Sequence, residues 1–351
     1  MIRPANVPHW KYYYGMLVFQ FNAHRANFIL RGFIQVVCRF VWLATRFTAT
    51  INATKNARLI DDDGEKLDVV VFSHGLSGFR TCNANVACEL AARRCVVFCV
   101  EHRDGSASAS ASTAANGTRT YQLYKPTGGT HESRRAQTKV RVAETLTCAA
   151  VVDALAVGRG ARNASHGRGG RLANEVVQSF KNRLNVESKT LCGFSFGGGS
   201  SVATSAQAPG VFARLICLDP WLEYFSDDDT LVAACSMPTL SLLSENWGSS
   251  ALAVKNTTTL TANKRAFYEV SIAGAKHHDF SDVQAFLGFA RKVVGMIGSV
   301  DVRAMHAFVA EISVDFIRNA SRPRATLNAA RASLEKIVNK FNSSLPNVRV
   351  H

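Results

Sequence analysis

Ser195 stands between Gly193 and Gly197 in the stretch LCGFSFGGGS, residues 191–200. A G-x-S-x-G spacing does chemistry when a strand precedes it and a helix follows. The serine then sits on a tight, strained turn that pushes its hydroxyl into the open. KTLC (189–192) supplies the strand and GGGSSVATSAQA (197–208) a helix start of small residues. Side chains two positions either side of the serine would collide with the neighbouring strand or helix, hence the two glycines. Gly198 and Gly199 let the helix pack close, and its N-terminus favours developing negative charge. A glycine-rich structural turn is the alternative; the strand–turn–helix setting favours a nucleophile.

A serine hydroxyl is a weak nucleophile at neutral pH, so a histidine must take its proton and an acid must orient that histidine. In a fold that carries this turn the chain order is serine, acid, histidine, each at a strand end. Of the ten histidines, His277, His278, His306 and His351 follow Ser195. GAKHHDFSD (274–282) lies between a strand-like run and a helical one, where such a histidine belongs; pattern does not separate His277 from His278. His306 falls in a helical run. Two acids compete: Asp219 ends ARLICLDPW, and Glu245 ends PTLSLLSE one strand later. The residues leave them level. Two backbone N–H groups must also hold the oxyanion of a tetrahedral intermediate. Phe196, directly after the nucleophile, gives one, and Leu76 in the early loop SHGLSGFR gives the other. His74 in that loop reads as its structural partner.

These residues need strands to carry them. LDVVVFS, CVVFCV, KTLCGFS, ARLICL, PTLSLL and FYEVSI are short apolar runs alternating with helical stretches at 133–157, 282–297 and 302–341. Such alternation predicts an α/β fold with a mostly parallel sheet. RDGSASASASTAANGTRTYQ is low in complexity and predicts a mobile loop. VGRGARNASHGRGGR reads as a solvated insertion: a single copy without interleaved aromatics is poor support for nucleic-acid binding.

The chain is large enough for a substantial core, and 47% apolar against 19% charged residues marks a globular protein. Its net charge of +15 favours anionic surfaces, lipid or nucleic acid. Nine cysteines, an odd number without a C-x-x-C pair, read as reduced core residues, and no metal site is expected. Six N-x-S/T sequons, at Asn52, Asn116, Asn163, Asn256, Asn319 and Asn342, hint at the secretory route, although no ordinary signal peptide opens the sequence. Residues 28–47 are apolar but interrupted by Arg31, Arg39 and Arg46, which argues against a membrane span. On a helix those arginines and Gln35 fall in one arc. Residues 1–60 are thus a basic amphipathic segment, packed on the domain with a basic outer face or lying at a lipid interface. Residues 61–345 form the expected catalytic domain.

Taken in order, VVVFSHGLSGFRT, VEHRDGSASA, GFSFGGG, LDPW and GAKHHDFSD closely resemble the platelet-activating factor acetylhydrolase family, which includes the lipoprotein-associated phospholipases A2. YYYGM near residue 12 and HESRRAQTKVR (131–141) extend the resemblance. It implies an α/β-hydrolase fold and a calcium-independent serine hydrolase without cofactor. The implied substrates are phospholipids carrying short or oxidised sn-2 acyl chains. The family's acid follows its L-D-x-W strand, which carries over to Asp219. Its G-x-x-H-x-x-F pattern matches Gly274, His277 and Phe280, and its oxyanion donors carry over to Leu76 and Phe196. The family usually has histidine before the nucleophile; this sequence has Phe194, which bears on pocket shape rather than on the triad. ANFILRGFI resembles part of the family's lipid-docking surface, which moves the reading of residues 28–47 to the interface. A phospholipid surface is then the expected partner, and secretion and peripheral membrane association both stay open. A soluble ester substrate, or a non-catalytic lipid-binding role on the same scaffold, are the competing readings.

Overall fold

The computed structural model describes residues 3–4, 9–21, 27–48, 64–160 except 115, 174–225, 236–248, 267–282, 297–320, 327–345 and 347–350, with a few isolated positions. Its centre is a sheet whose strands are β1 (Leu67–Ser73), β2 (Cys95–Val100), β5 (Leu184–Phe194), β6 (Arg214–Leu218), β7 (Thr239–Ser244), β8 (Phe267–Ile272) and β9 (Val348–Val350). β3 and β4 form a separate hairpin described below. The spatial order is β2–β1–β5–β6–β7–β8–β9, parallel except for the antiparallel pairing of β9 with β8. This is the α/β-hydrolase fold.

Parallel strands covered on both faces need apolar residues on both, which is why β1 reads VVVF without interruption. Val70 and Phe72 face one core with Ile216, Leu218, Leu240 and Leu242, closed by the helices α3 (Ala84–Ala91) and α8 (Val302–Asp315). Val71 points the other way, to a core with Leu191, Leu215, Cys217, Phe196 and Val202. The latter two belong to α6 (Phe196–Gln207), which lies beside the long α4 (His131–Ala156). Thr130 caps α4 by accepting the Ser133 N–H at 3.2 Å, and Glu132 in its first turn suits the helix dipole. Two shorter helices are α5 (Asn174–Phe180) and the single turn α7 (Glu245–Gly248); α9 (Leu327–Phe341) packs on α8.

Chain direction reverses around β1: β2 lies on one side of it and β5 on the other. The carboxyl ends of β1 and β5 therefore open a crevice at the point where their loops part, the place where open parallel sheets bind ligands.

The stretch expected to be a mobile loop, 103–122, is instead ordered. β3 (Ala109–Thr113) and β4 (Arg119–Leu123) pair antiparallel, and Ser106 to Ala111 are buried. The physical reason is size. Serine and alanine let another backbone approach closely, and α1 (Trp10–Phe21) does so at Gly15, where a Cβ would lie 1.7 Å from the Ser108 carbonyl oxygen. The hairpin turns at Asn116, whose Oδ1 accepts the Thr118 N–H at 2.9 Å.

α2 (Phe28–Thr48) packs on α1 through Ile34, Cys38 and Trp42. The outward face is not the basic one. Phe28 is 91% exposed, Phe33 64% and Phe40 68%, with Ile29, Leu30 and Val37 also outward. Arg31 and Arg39 are also exposed, and Arg39 lies over the Trp10 ring at 4.7 Å. Among the described residues, no helix is long and apolar enough to cross a membrane. Residues 161–171 of the glycine and arginine insertion at 157–171, and residues 283–296 of the expected helical stretch 282–297, lie outside the described residues.

Candidate active site

Ser195 follows β5 directly and precedes α6 in a backbone conformation that an L-residue rarely adopts, φ 55° and ψ −120°. Three hydrogen bonds hold it there. Its N–H donates to the Leu218 carbonyl at 2.9 Å, and its own carbonyl accepts from Gly199 at 3.1 Å and Trp221 at 2.9 Å. The flanking glycines are sterically required: a Cβ on Gly193 would lie 2.3 Å from the Gly197 oxygen, and one on Gly197 would lie 2.1 Å from the Ser73 oxygen. Such strain is kept where surrounding structure over-determines it.

The Ser195 hydroxyl lies 3.0 Å from Nε2 of His277, and His277 Nδ1 lies 3.0 Å from Oδ2 of Asp219. Asp219 ends β6 and is fully buried. Its Oδ1 accepts the Ser244 N–H at 2.7 Å and its Oδ2 accepts the Ser244 hydroxyl at 2.6 Å. With these two donors and His277 Nδ1–H, the buried carboxylate is held in place and fixes the imidazole tautomer with the proton on Nδ1. Nε2 is then the acceptor that faces the serine.

Of the competing residues, Glu245 is turned elsewhere. Its carboxylate accepts the Gly274 N–H at 2.9 Å and so braces the turn that leads to His277. His278 makes an edge contact with the His277 ring, and burial followed by the neighbouring His277 pulls its pKa down to about 4. His306 has a role its helical position did not suggest. Its Nε2–H donates to the Asp279 carbonyl at 2.8 Å, while the Asp279 carboxylate accepts the Lys276 and Gly298 N–H groups at 2.8 and 2.9 Å. The short helical turn 277–280 is thereby pinned from both ends.

Sequence reasoning also passed over Trp247, on the one-turn α7. Its indole stacks on the His277 ring with centroids 4.4 Å apart and planes 12° from parallel, and its Nε1–H donates to the Pro220 carbonyl at 3.0 Å. Phe194 contacts the same imidazole at 4.7 Å. No local signal marks Trp247, because the contact joins loops of different strands.

The loop after β1 runs past Ser195: a Cβ on Gly75 would fall 3.1 Å from the Ser195 Cβ. Leu76 is the next residue, and its N–H meets no acceptor among the described residues. Phe196 opens α6, where the first backbone N–H groups have no intrahelical partner. His74 donates from Nδ1 to the Gly75 carbonyl at 2.8 Å, as a loop partner rather than a base. A second serine–histidine–carboxylate string, Ser73, His102 and Glu144, has contacts of 2.8 and 2.9 Å, but Ser73 and His102 are sealed from solvent, so it braces β1 against α4. Among the described residues no group of side chains could hold a metal ion.

Comparison with known proteins agrees with this architecture. The family model described as platelet-activating factor acetylhydrolase, isoform II, matches residues 27–335. The chain is 27% identical over 267 residues to the platelet-activating factor acetylhydrolase of Cavia porcellus, covering 74% of this chain and 56% of that protein. It is 28% identical over 276 residues to that of Canis lupus familiaris, with the same coverage. The chain thus spans a little over half the length of these relatives. Among solved structures, a ferulic acid esterase from Streptomyces cinnamoneus is similar in fold, with a TM-score of 0.56 and 16% identity over 95% of this chain and 84% of that one.

Proposed function

The chain belongs to the platelet-activating factor acetylhydrolase, isoform II, family, and from that membership and the site around Ser195 we propose a calcium-independent serine esterase. It removes short or oxidised sn-2 acyl groups from glycerophospholipids at a lipid surface. The observation that carries this reading is the unbroken hydrogen-bonded string from Asp219 through His277 to Ser195.

In the proposed reaction the Ser195 hydroxyl gives its proton to His277 Nε2 as Oγ bonds to the ester carbonyl carbon. The carbonyl electron pair moves onto oxygen, where the Leu76 and Phe196 N–H groups receive it. Asp219 stabilises the imidazolium through Nδ1–H. Collapse of the adduct breaks the bond to the glycerol oxygen, which leaves with the proton from His277. Water then attacks the acyl-serine, passing its proton to His277, which returns it to Ser195 Oγ as the acyl bond breaks and the carboxylic acid leaves. Removing one oxyanion donor costs on the order of a hundredfold or more in turnover.

The face of α2 supports the lipid-surface part of the reading. Phe28, Ile29, Phe33 and Phe40 are exposed on a helix that also carries the exposed Arg31 and Arg39, the pattern of a helix lying in a bilayer interface. The decisive test is Ser195→Ala assayed on phospholipids with acetyl and with long sn-2 chains. The variant is expected to lose at least about a thousandfold in kcat on the acetyl substrate, and wild type to prefer the short chain. Full activity in the variant would overturn the proposal.

A further inference from the structure

Behind the loop that carries Leu76 lies a wholly buried guanidinium, Arg141 of α4. Its contacts converge on the two segments proposed to bind the oxyanion, and the inference below rests on that reading. From Nη1 it donates to the His74 carbonyl at 2.6 Å, and from Nη2 to the Gly75 carbonyl at 3.5 Å. Its guanidinium lies 4.4 Å from the centroid of the Phe196 ring. On its other side it is held by Asp104 Oδ2 at 3.1 Å and by the Ser106 hydroxyl, at 3.1 Å from Nε and 2.6 Å from Nη2. The Ser106 carbonyl in turn accepts the Ser77 N–H at 2.7 Å.

The Gly75 oxygen belongs to the same peptide unit as the Leu76 N–H. Besides the long contact from Arg141 it accepts His74 Nδ1–H at 2.8 Å and the Gly78 N–H at 3.1 Å. A trans peptide points its oxygen and its hydrogen in opposite directions. Three donors gathered on the oxygen therefore fix the direction of the Leu76 N–H and, by polarising the peptide, make it a stronger donor. α4 sits behind the sheet ends and does not need a buried charge to pack there. Burying a guanidinium and a carboxylate together is a costly way to fill space.

We propose that Arg141, with His74, is a positioning residue for the oxyanion site: it anchors the His74 and Gly75 carbonyls so that the Leu76 N–H faces Ser195, and it backs the ring of Phe196. The pair acts through the loop and touches no reacting atom.

The test compares Arg141→Met, Arg141→Lys and His74→Phe with wild type on a short-chain ester. A fluorophosphonate titration of Ser195 counts competent sites. Per labelled site, Arg141→Met is expected to lower kcat on the order of ten- to a hundredfold with KM changed less than about twofold. The affinity of a trifluoromethyl ketone, which forms a tetrahedral adduct on the serine, should fall by the same factor as kcat/KM. Arg141→Lys should recover part of the loss, since an ammonium can reach one carbonyl but not both. His74→Phe should show the same split between kcat and KM with a smaller loss. Should Arg141→Met fail to fold because Asp104 is left unpaired, the double variant Arg141→Met/Asp104→Leu removes that charge and carries the same expectation. Wild-type kcat per labelled site, with only fewer sites, would mean a purely structural role and overturn the proposal. Full activity in Ser195→Ala would overturn the reading of the site itself and this inference with it.

Discussion

His277 is constrained at both ring nitrogens and by two aromatic neighbours. The acid and the serine fix its edges, and Trp247 and Phe194 lie against the ring at 4.4 and 4.7 Å. Hydrogen bonds alone leave an imidazole free to rock about the line joining its partners, whereas a stacked indole resists that motion and, in the proposed reaction, favours the imidazolium. Removing the indole by Trp247→Leu is therefore expected to lower kcat about tenfold with little change in KM, since a small misplacement of a proton acceptor is felt in the chemical step. Steady-state kinetics normalised to fluorophosphonate-labelled sites measures it; an unchanged kcat would show that Asp219 and Ser195 suffice. Phe194→His, which keeps a ring at the position, should stay within about threefold of wild type in kcat if the contact matters for its shape.

Among the strands and helices, the strand ends are legible in the sequence. β1, β5, β6 and β8 each show as an apolar run closed by a chemically capable residue or loop, because strands covered on both faces must be apolar throughout. The acid was not legible from residues alone: Asp219 and Glu245 both end strands, and what separates them is a third-strand partner, Ser244, and a turn at Gly274. The β3–β4 hairpin was missed because serine and alanine carry no apolar signal, although their small size is what lets α1 seal them. For α2 the pattern gave two faces and did not say which one packs. Three residues, Ile34, Cys38 and Trp42, decide it, leaving the broader apolar face outward. Replacing two of its phenylalanines, Phe33→Ser with Phe40→Ser, should then weaken binding to phospholipid vesicles by about a hundredfold or more, each buried aromatic contributing roughly 1.5–3 kcal/mol. Hydrolysis of a water-soluble monomeric ester should be unchanged, because neither side chain has a role in the proposed chemistry. Vesicle co-sedimentation beside a soluble-ester assay separates the two; equal vesicle binding would leave the exposed face without a lipid role.

Across the whole molecule, several histidines in and around the site are buried or largely so, and this gives the fold a direction of pH sensitivity. Burial lowers the pKa of His74 and His102 well below 6.5, lowers that of His306, and brings His278 down to about 4. A histidine whose folded pKa is depressed contributes stability that is complete above the unfolded value near 6.5. That stability is lost as pH falls through 6.5 toward the folded value, because the unfolded chain takes up the proton first. Asp282, where burial pushes the carboxyl up to about 7 against the Asn85 donors, acts in the opposite sense and costs stability as pH rises from 3.8 to about 7. Single variants isolate each sign. His306→Gln keeps a donor for the Asp279 carbonyl but cannot titrate. Its stability relative to wild type should therefore improve between about pH 7.5 and about pH 5, by up to about 1.4 kcal/mol per pH unit below 6.5. Asp282→Asn should gain on wild type in the other direction, from about pH 5 to about pH 8. Denaturant unfolding of the three proteins at each pH reads both slopes. If the difference between His306→Gln and wild type does not change with pH, burial does not hold the imidazole neutral, and the predicted pH sensitivity at this position is wrong.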